Sequence, residues 1–272
     1  MRRSAHPRPG LRDAIAATAV PTWTQPATPQ SDGTKLAFVR SPGLLRPGRR
    51  IYAIGDIHGC LESLRALHAA IAEDLARRPI GGALLIHLGD YIDAGPDSVG
   101  VIALLAAGPP IAGLRTVNLL GDHERTALDA LEGDAPAATD WLHAGGAATL
   151  RGWGIDPASP RGDWREKVPP AHLGFLRGLV LSHRADDYLF VHAGIRPDVP
   201  LRQQTAEDLL RIRQPFLYSE AAFAAVVVHG HTPGTATVLR HNRICIDTGA
   251  GFGGRLTCAV LEGDRVGVMS VL

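Results

Sequence analysis

No run of about 18 or more apolar residues occurs in the 272-residue chain, so no segment reads as a membrane-spanning helix. Cysteine is scarce. Cys60, Cys245 and Cys258 are odd in number and follow no metal-type spacing, and they read as reduced, mostly buried thiols of a cytoplasmic protein. An excess of either charge is also missing, with 28 basic against 27 acidic residues, so no field favours a nucleic-acid or membrane partner. There is no internal repeat. Arg2-Arg3 is not followed by the apolar stretch an export signal needs. Residues 1–48, rich in Pro, Arg, Ala, Thr and Ser, read instead as a flexible or partly ordered extension, with the compact domain expected over residues 49–272.

What is present is histidine and aspartate in a particular place. Five polar clusters stand at the ends of apolar runs: Gly55-Asp56-Ile57-His58-Gly59, Gly89-Asp90-Tyr91-Ile92-Asp93, Gly121-Asp122-His123-Glu124, Val191-His192-Ala193-Gly194 and His229-Gly230-His231-Thr232-Pro233. Side chains at the carboxyl ends of neighbouring buried strands converge on one crevice of an α/β sheet. Six or seven ligand-type residues delivered this way read as a dinuclear metal site.

Strand and helix patterns alternate through the first half. Strands are expected at Ile51–Ile54, Leu84–Leu88 and Leu114–Leu120, and helices at Leu61–Ala76, from Val99 behind Pro96-Asp97-Ser98, and from Glu124 to Leu131. Thr139–Arg151 and Pro170–Leu179 look helical, in a cap-like segment of about 133–184 whose stretch Asp156–Pro170 reads as a loop. From Tyr188 onward strands dominate. The fold class expected is mixed α/β: parallel α/β units followed by an antiparallel run imply two sheets, one largely wound with helices and one closing the domain.

Asp56 and His58, one residue apart past a strand end, point to the same side and suit one metal. Asp90 at the next strand end has two oxygens with which to bridge two metals about 3.5–4 Å apart. Asp122, His192 and His231 complete the second site. Carboxylate mixed with imidazole suits manganese, iron or zinc better than calcium. Two such ions sharing a water lower its pKa and make hydroxide available near neutral pH. His123 is placed to act as general acid, with Asp93 holding its imidazole protonated.

In their order, Gly-Asp-Ile-His-Gly, Gly-Asp-Tyr-Ile-Asp, Gly-Asp-His-Glu, His-Ala-Gly and Gly-His-Thr resemble the motifs of the calcineurin-like metallophosphoesterases, and within them the bacterial Ser/Thr-type phosphoprotein phosphatases. The resemblance runs from about Tyr52 to Leu261 and takes in Ile246-Asp247-Thr248-Gly249. It implies a two-sheet β-sandwich flanked by helices, two divalent metal ions held by the residues just named, and His123 as acid with Asp93 as its partner. The chain departs from the pattern at Ala94 and Leu120, where the family often has arginine, and at Asp122, where it commonly has asparagine. Each lost guanidinium removes a charged phosphate clamp worth roughly 1.5–3 kcal/mol. The extra carboxylate repels a phosphate dianion. Arg196, Arg125 or Arg255 is a candidate replacement clamp. His229 stands beside the site as a support or an extra ligand, Asp247 as a residue that fixes a nearby loop, and His87 as core.

Three functions fit: a phosphatase acting on phosphorylated protein, a hydrolase of dinucleoside polyphosphates or another small phosphoester, and a non-catalytic metal- or phosphate-binding module.

Overall fold

The computed structural model describes residues 36–272, so most of the N-terminal extension expected from the sequence lies outside the described residues. The packed chain begins before Arg49. Strand β1 (Phe38–Arg40) pairs antiparallel with β11 (Arg265–Val271), and Leu45 is buried in the core. A three-residue edge strand is too short to show periodicity.

The first sheet has the order β1-β11-β10-β2-β3-β4. Here β2 (Arg49–Ile54), β3 (Gly82–His87) and β4 (Arg115–Asn118) run parallel, while β10 (Leu256–Glu262) and β11 are antiparallel to their neighbours. The second sheet has five strands, in an order that starts with β5 (Ser182–Ala185) and β6 (Tyr188–Val191) and continues with β7 (Val226–His229), β9 (Arg243–Cys245) and β8 (Val238–Leu239). The expected mixed α/β, two-sheet architecture is present; both sheets are mixed, and in the C-terminal half, where an antiparallel run is expected, β6, β7 and β9 are instead parallel. Apolar runs such as Val226-Val227-Val228 reveal burial on both faces but not the direction of the partner strand.

Alternation along the strands builds the layers. Ile51 and Ala53 of β2 face the second sheet, meeting Tyr188 and Phe190 of β6 and Val226 and Val228 of β7. Tyr52 and Ile54 point the other way, under α1 (Leu61–Arg77) and α2 (Ser98–Ala106). On the outer face of the second sheet, Leu189, Val191 and Val227 pack with Phe216 and with Leu209 of α8 (Ala206–Arg211).

Between the sheets in sequence, α3 (Asp122–Leu131) leads into α4 (Ala135–Trp141), a π-type turn at Leu142–Gly146 and α5 (Ala147–Gly152). The stretch expected as loop contains α6 (Trp164–Lys167), whose Trp164 is fully buried against Trp141, ahead of α7 (Pro170–Arg177). Proline, glycine and charge around residue 164 hide one apolar anchor among polar neighbours.

The parallel strands of both sheets end on the same side. Asp56 follows β2, Asp90 follows β3, Asp122 follows β4, His192 follows β6, His231 follows β7 and Asp247 follows β9. A second sheet antiparallel throughout would have turned β7 against β6 and β9 and carried His231 to the opposite edge.

Candidate active site

One buried carboxylate sets the register of the site loops. Glu124, at the third position of α3, accepts hydrogen bonds from the backbone N–H groups of Asp90 (2.9 Å), Tyr91 (2.7 Å), Ile92 (3.2 Å) and Gly121 (3.1 Å). It reaches back to the start of its own helix, as third-position glutamates do, and also carries the Asp90 loop. The α3 N-terminus thereby meets Asp90, whose Oδ1 accepts from His123 N at 3.2 Å.

Asp90 divides its oxygens. Oδ2 lies 3.6 Å from His58 Nε2, and Oδ1 lies 3.4 Å from His192 Nε2. The other ring nitrogens are anchored, His58 Nδ1 on Ile92 O at 2.9 Å and His192 Nδ1 on Leu88 O at 3.0 Å, which leaves both Nε2 atoms for a ligand role. Asp122 Oδ1 lies 3.2 Å from both His192 Nε2 and His231 Nδ1. Two groups of donor atoms result, each within 4.8 Å of one another: Asp90, Asp122, His192 and His231, and His58, Asp90 and His123. Asp90 belongs to both.

Asp56 belongs to neither group, although it is buried beside them. Its Oδ2 accepts from His231 N at 2.8 Å, and its Oδ1 has no hydrogen-bond partner. A side chain at Gly230 would overlap that oxygen, so glycine there keeps the space clear. A buried, orphaned carboxylate oxygen next to a carboxylate–imidazole cluster fits a divalent cation. Burial and the neighbouring Asp247 push the Asp56 carboxyl up, a charge load that a cation would relieve.

His123 is set apart by its support. Asp93 Oδ2 accepts from His123 Nδ1 (2.7 Å) and Trp141 Nε1 (2.9 Å), and Asp93 Oδ1 accepts from Thr149 Oγ1 (2.5 Å). Burial opposes charge on His123, but Asp90 and Asp93 outweigh it and raise the imidazole to about 10. The ring stands edge-on to His58, with centroids 4.9 Å apart. Trp141 and Thr149 come from α4 and α5, so the segment expected to flank the site also buttresses the His123–Asp93 pair. Sequence reading missed both, because 48 and 56 residues separate them from Asp93 and no local pattern links them.

Backbone strain gathers at the same place. Non-glycine residues with positive φ include His58 (44°), Asp90 (51°), Asp93 (67°), Ala94 (58°) and His231 (64°), all in the site loops. Such conformations cost of order 1 kcal/mol or more each and persist where packing over-determines them. Gly145, at φ 111°, packs over Ala94 and Asp93, where a β-carbon would crowd the Ala94 nitrogen at 3.2 Å.

The remaining residues fall outside the two groups. His229 is fully buried, its Nδ1 on Gly230 O at 3.1 Å and its Nε2 unpartnered; burial lowers it to about 3, so it is neutral. Asp247 Oδ1 accepts from Gly249 N at 3.0 Å and holds that left-handed turn. His87 is buried, 2.7 Å from Asn118 and 2.9 Å from His68. Arg196 is turned to Asp208 at 2.6 Å, and Arg125 pairs with Asp129. Two arginines that sequence reading passed over approach the cluster. Arg211 Nη1 lies 3.4 Å from Asp122 Oδ2, and Arg213 Nη1 donates to Thr232 Oγ1 at 3.4 Å.

A two-sheet sandwich whose parallel strands deliver a carboxylate–imidazole cluster with a carboxylate-backed histidine beside it defines a metal-dependent hydrolase. The family model for calcineurin-like phosphoesterase matches residues 49–266, and the chain belongs to that family; it is a phosphoric ester hydrolase. It is 29% identical over 233 residues to serine/threonine-protein phosphatase 1 of Salmonella typhimurium, covering 79% of this chain and 93% of that relative. It is 26% identical over 275 residues to the symmetrical bis(5'-nucleosyl)-tetraphosphatase of Methylococcus capsulatus, covering 81% of this chain and 95% of that relative. In fold it is similar to a cold-active protein-tyrosine phosphatase of a psychrophilic Shewanella, with a TM-score of 0.51 at 17% identity over 82% of this chain and 80% of that one. No helix among the described residues is long and apolar enough to cross a membrane.

Proposed function

We propose that this protein is a phosphoprotein phosphatase of the Ser/Thr type, possessing two divalent cations and a histidine general acid. Asp56, His58 and Asp90 would hold one cation, and Asp90, Asp122, His192 and His231 the other. When bound, such ions supply Lewis-acid activation of water and neutralise phosphate charge; manganese suits this donor set, with iron or zinc as the other candidates. Asp93 keeps the imidazole of His123 charged and oriented, and His123 Nε2–H protonates the oxygen that leaves. Trp141 and Thr149 hold Asp93 so that its carboxylate faces His123 and not water. Unpaired Cys60, Cys245 and Cys258 fit a reducing cytoplasm.

The observation that carries this reading is the Asp93-backed His123. Serine or threonine leaves as an alkoxide, a strong base that needs a proton in the transition state. A dinucleoside polyphosphate releases a phosphate-type leaving group that needs far less help. The second reading, a dinucleoside polyphosphate hydrolase, draws on the similarity to the tetraphosphatase of M. capsulatus.

The test is a metal-reconstituted panel of phosphoserine and phosphothreonine peptides, nucleotides and diadenosine tetraphosphate. Peptides are expected to give the higher kcat/KM. His123→Ala is expected to lower peptide hydrolysis by about 10²–10⁴-fold and hydrolysis of 4-nitrophenyl phosphate, with its good leaving group, much less. Preference for diadenosine tetraphosphate, with equal losses on both esters, overturns the proposal.

A further inference from the structure

Among the described residues, Asp122 is the one ligand-type residue of this site that an arginine touches. Its two oxygens do different work. Oδ1 faces His192 Nε2 and His231 Nδ1, both at 3.2 Å, and so lies with the metal-ligating donors. Oδ2 faces away from them toward Arg211 Nη1 at 3.4 Å. The guanidinium is not merely nearby. Its Nη2 donates to Thr126 Oγ1 at 2.6 Å and approaches the main-chain oxygen of Asp122 at 3.5 Å. Thr126 Oγ1 in turn donates to Asp122 O at 2.7 Å. The last residue of α8 is thus clipped onto the first turn of α3, with one edge of its fork aimed at the ligand carboxylate.

Chemistry makes the pair a matched one. A guanidinium has only donors, and Asp122 Oδ2 is an acceptor. Asparagine at 122 would keep an oxygen for the cation but turn its NH₂ toward Arg211, donor against donor. The arginine therefore selects aspartate at this position. It also offsets part of the negative charge that aspartate adds beside the phosphate, although Glu207 Oε2, 3.6 Å from Arg211 Nε, shares the guanidinium. We infer that Arg211 and Asp122 act as one unit: Arg211 positions the second oxygen of this ligand and offsets part of its charge, so that the cation site carries less excess negative charge and still admits a phosphate dianion. Arg211 is a positioning residue here, acting through Asp122. The inference rests on the proposed two-cation phosphatase and adds what makes an aspartate at 122 compatible with it.

The experiment is a double-mutant cycle on the full chain with Arg211→Gln and Asp122→Asn, plus Arg211→Lys. Manganese binding is followed by calorimetry, and inorganic phosphate binding is measured on the manganese-loaded protein. Arg211→Gln leaves the carboxylate uncompensated, so manganese is expected to bind at least about threefold tighter and phosphate at least about threefold weaker. In the Asp122→Asn background, where Arg211 has lost its acceptor, the same change is expected to move both affinities by less than half as much on a logarithmic scale. Arg211→Lys, which keeps the charge, is expected to hold phosphate affinity near the parent value. Should Arg211 only tether α8 to α3, Arg211→Gln would lower thermal stability and leave both affinities unmoved, which overturns the inference. Equal effects of Arg211→Gln in both backgrounds overturn the matched unit as well. Failure of the parent protein to bind two manganese ions would instead count against the proposed function.

Discussion

Two buried histidine networks in this molecule end in opposite charge states. His123 is raised to about 10, because Asp90 and Asp93 outweigh the burial that opposes its charge. In the other network His68 and His87 face each other at 2.9 Å, and His87 Nδ1 lies 2.7 Å from Asn118 Oδ1. Burial lowers His68 to about 4 and His87 to about 3. Both networks sit beside the same strands, and His87 is only six residues before Asp93 in the chain. The difference is the partner: a carboxylate in one case, an amide and a second imidazole in the other. Burial sets the cost of charge, and the neighbour decides whether it is met.

The largest break in this contrast comes from removing the carboxylate at the active one. Asp93→Asn keeps the size of the side chain but takes away the hydrogen-bonded one of the two carboxylates, Asp90 and Asp93, that hold His123 protonated, and kcat on phosphopeptides is expected to fall by about 10²–10³-fold. A loss below fivefold in steady-state kinetics would show that Asp93 is not what charges His123. The neutral network should reveal itself in stability. A folded-state pKa depressed below the unfolded value means that the unfolded chain takes up the proton first. This contribution is therefore fully present above about pH 6.5 and lost as pH falls toward 4. Between pH 7 and pH 5 it should amount to roughly 2–4 kcal/mol for the two histidines. The check is urea unfolding at both pH values, read as the difference between the parent and a His68→Leu/His87→Leu variant; equal slopes in the two proteins would remove the effect. The smallest expected effect concerns a charge that lies apart from either network. Arg196, with its guanidinium on Asp208 and 58% exposed, is expected to change kcat/KM by less than about twofold when made alanine. A tenfold loss of kcat/KM would return it to the role of phosphate clamp.

Much of this was legible in the chain itself. Several of the strands that lead to the proposed ligands are apolar runs followed by Asp or His, as at Ile51–Ile54 before Asp56, and a buried run with a polar terminus is a strong local signal; β4, Arg-Thr-Val-Asn before Asp122, lacks it. Helix α2 begins at Ser98 with Asp97 capping Gly100 N at 2.7 Å, as its Pro-Asp-Ser entry implied. What stayed hidden depends on pairing across distance. The parallel direction of β6, β7 and β9 is set by which strands meet, not by their composition. Arg211 reaches Asp122 from 89 positions away, and Trp141 reaches Asp93 from 48, with nothing in either neighbourhood to announce the contact. Glu124 was visible as part of a motif, but its role in carrying four backbone N–H groups exists only once the Asp90 loop has folded over it.

The two bonds that Asp93 accepts from Trp141 and Thr149 tie chemistry to the local stability of a helical segment. Trp141 closes α4, Thr149 sits in α5, and the π-type turn with Gly145 joins them. If that segment opens as a unit, Asp93 loses two of its donors and gains water while the two sheets remain intact. Turnover would then report the opening of residues 135–152 long before global unfolding, and amide exchange across that stretch should track the rate at which warming silences the enzyme. Anything that docks on this segment and clamps it shut would stimulate catalysis without touching a ligand, a cation or the substrate.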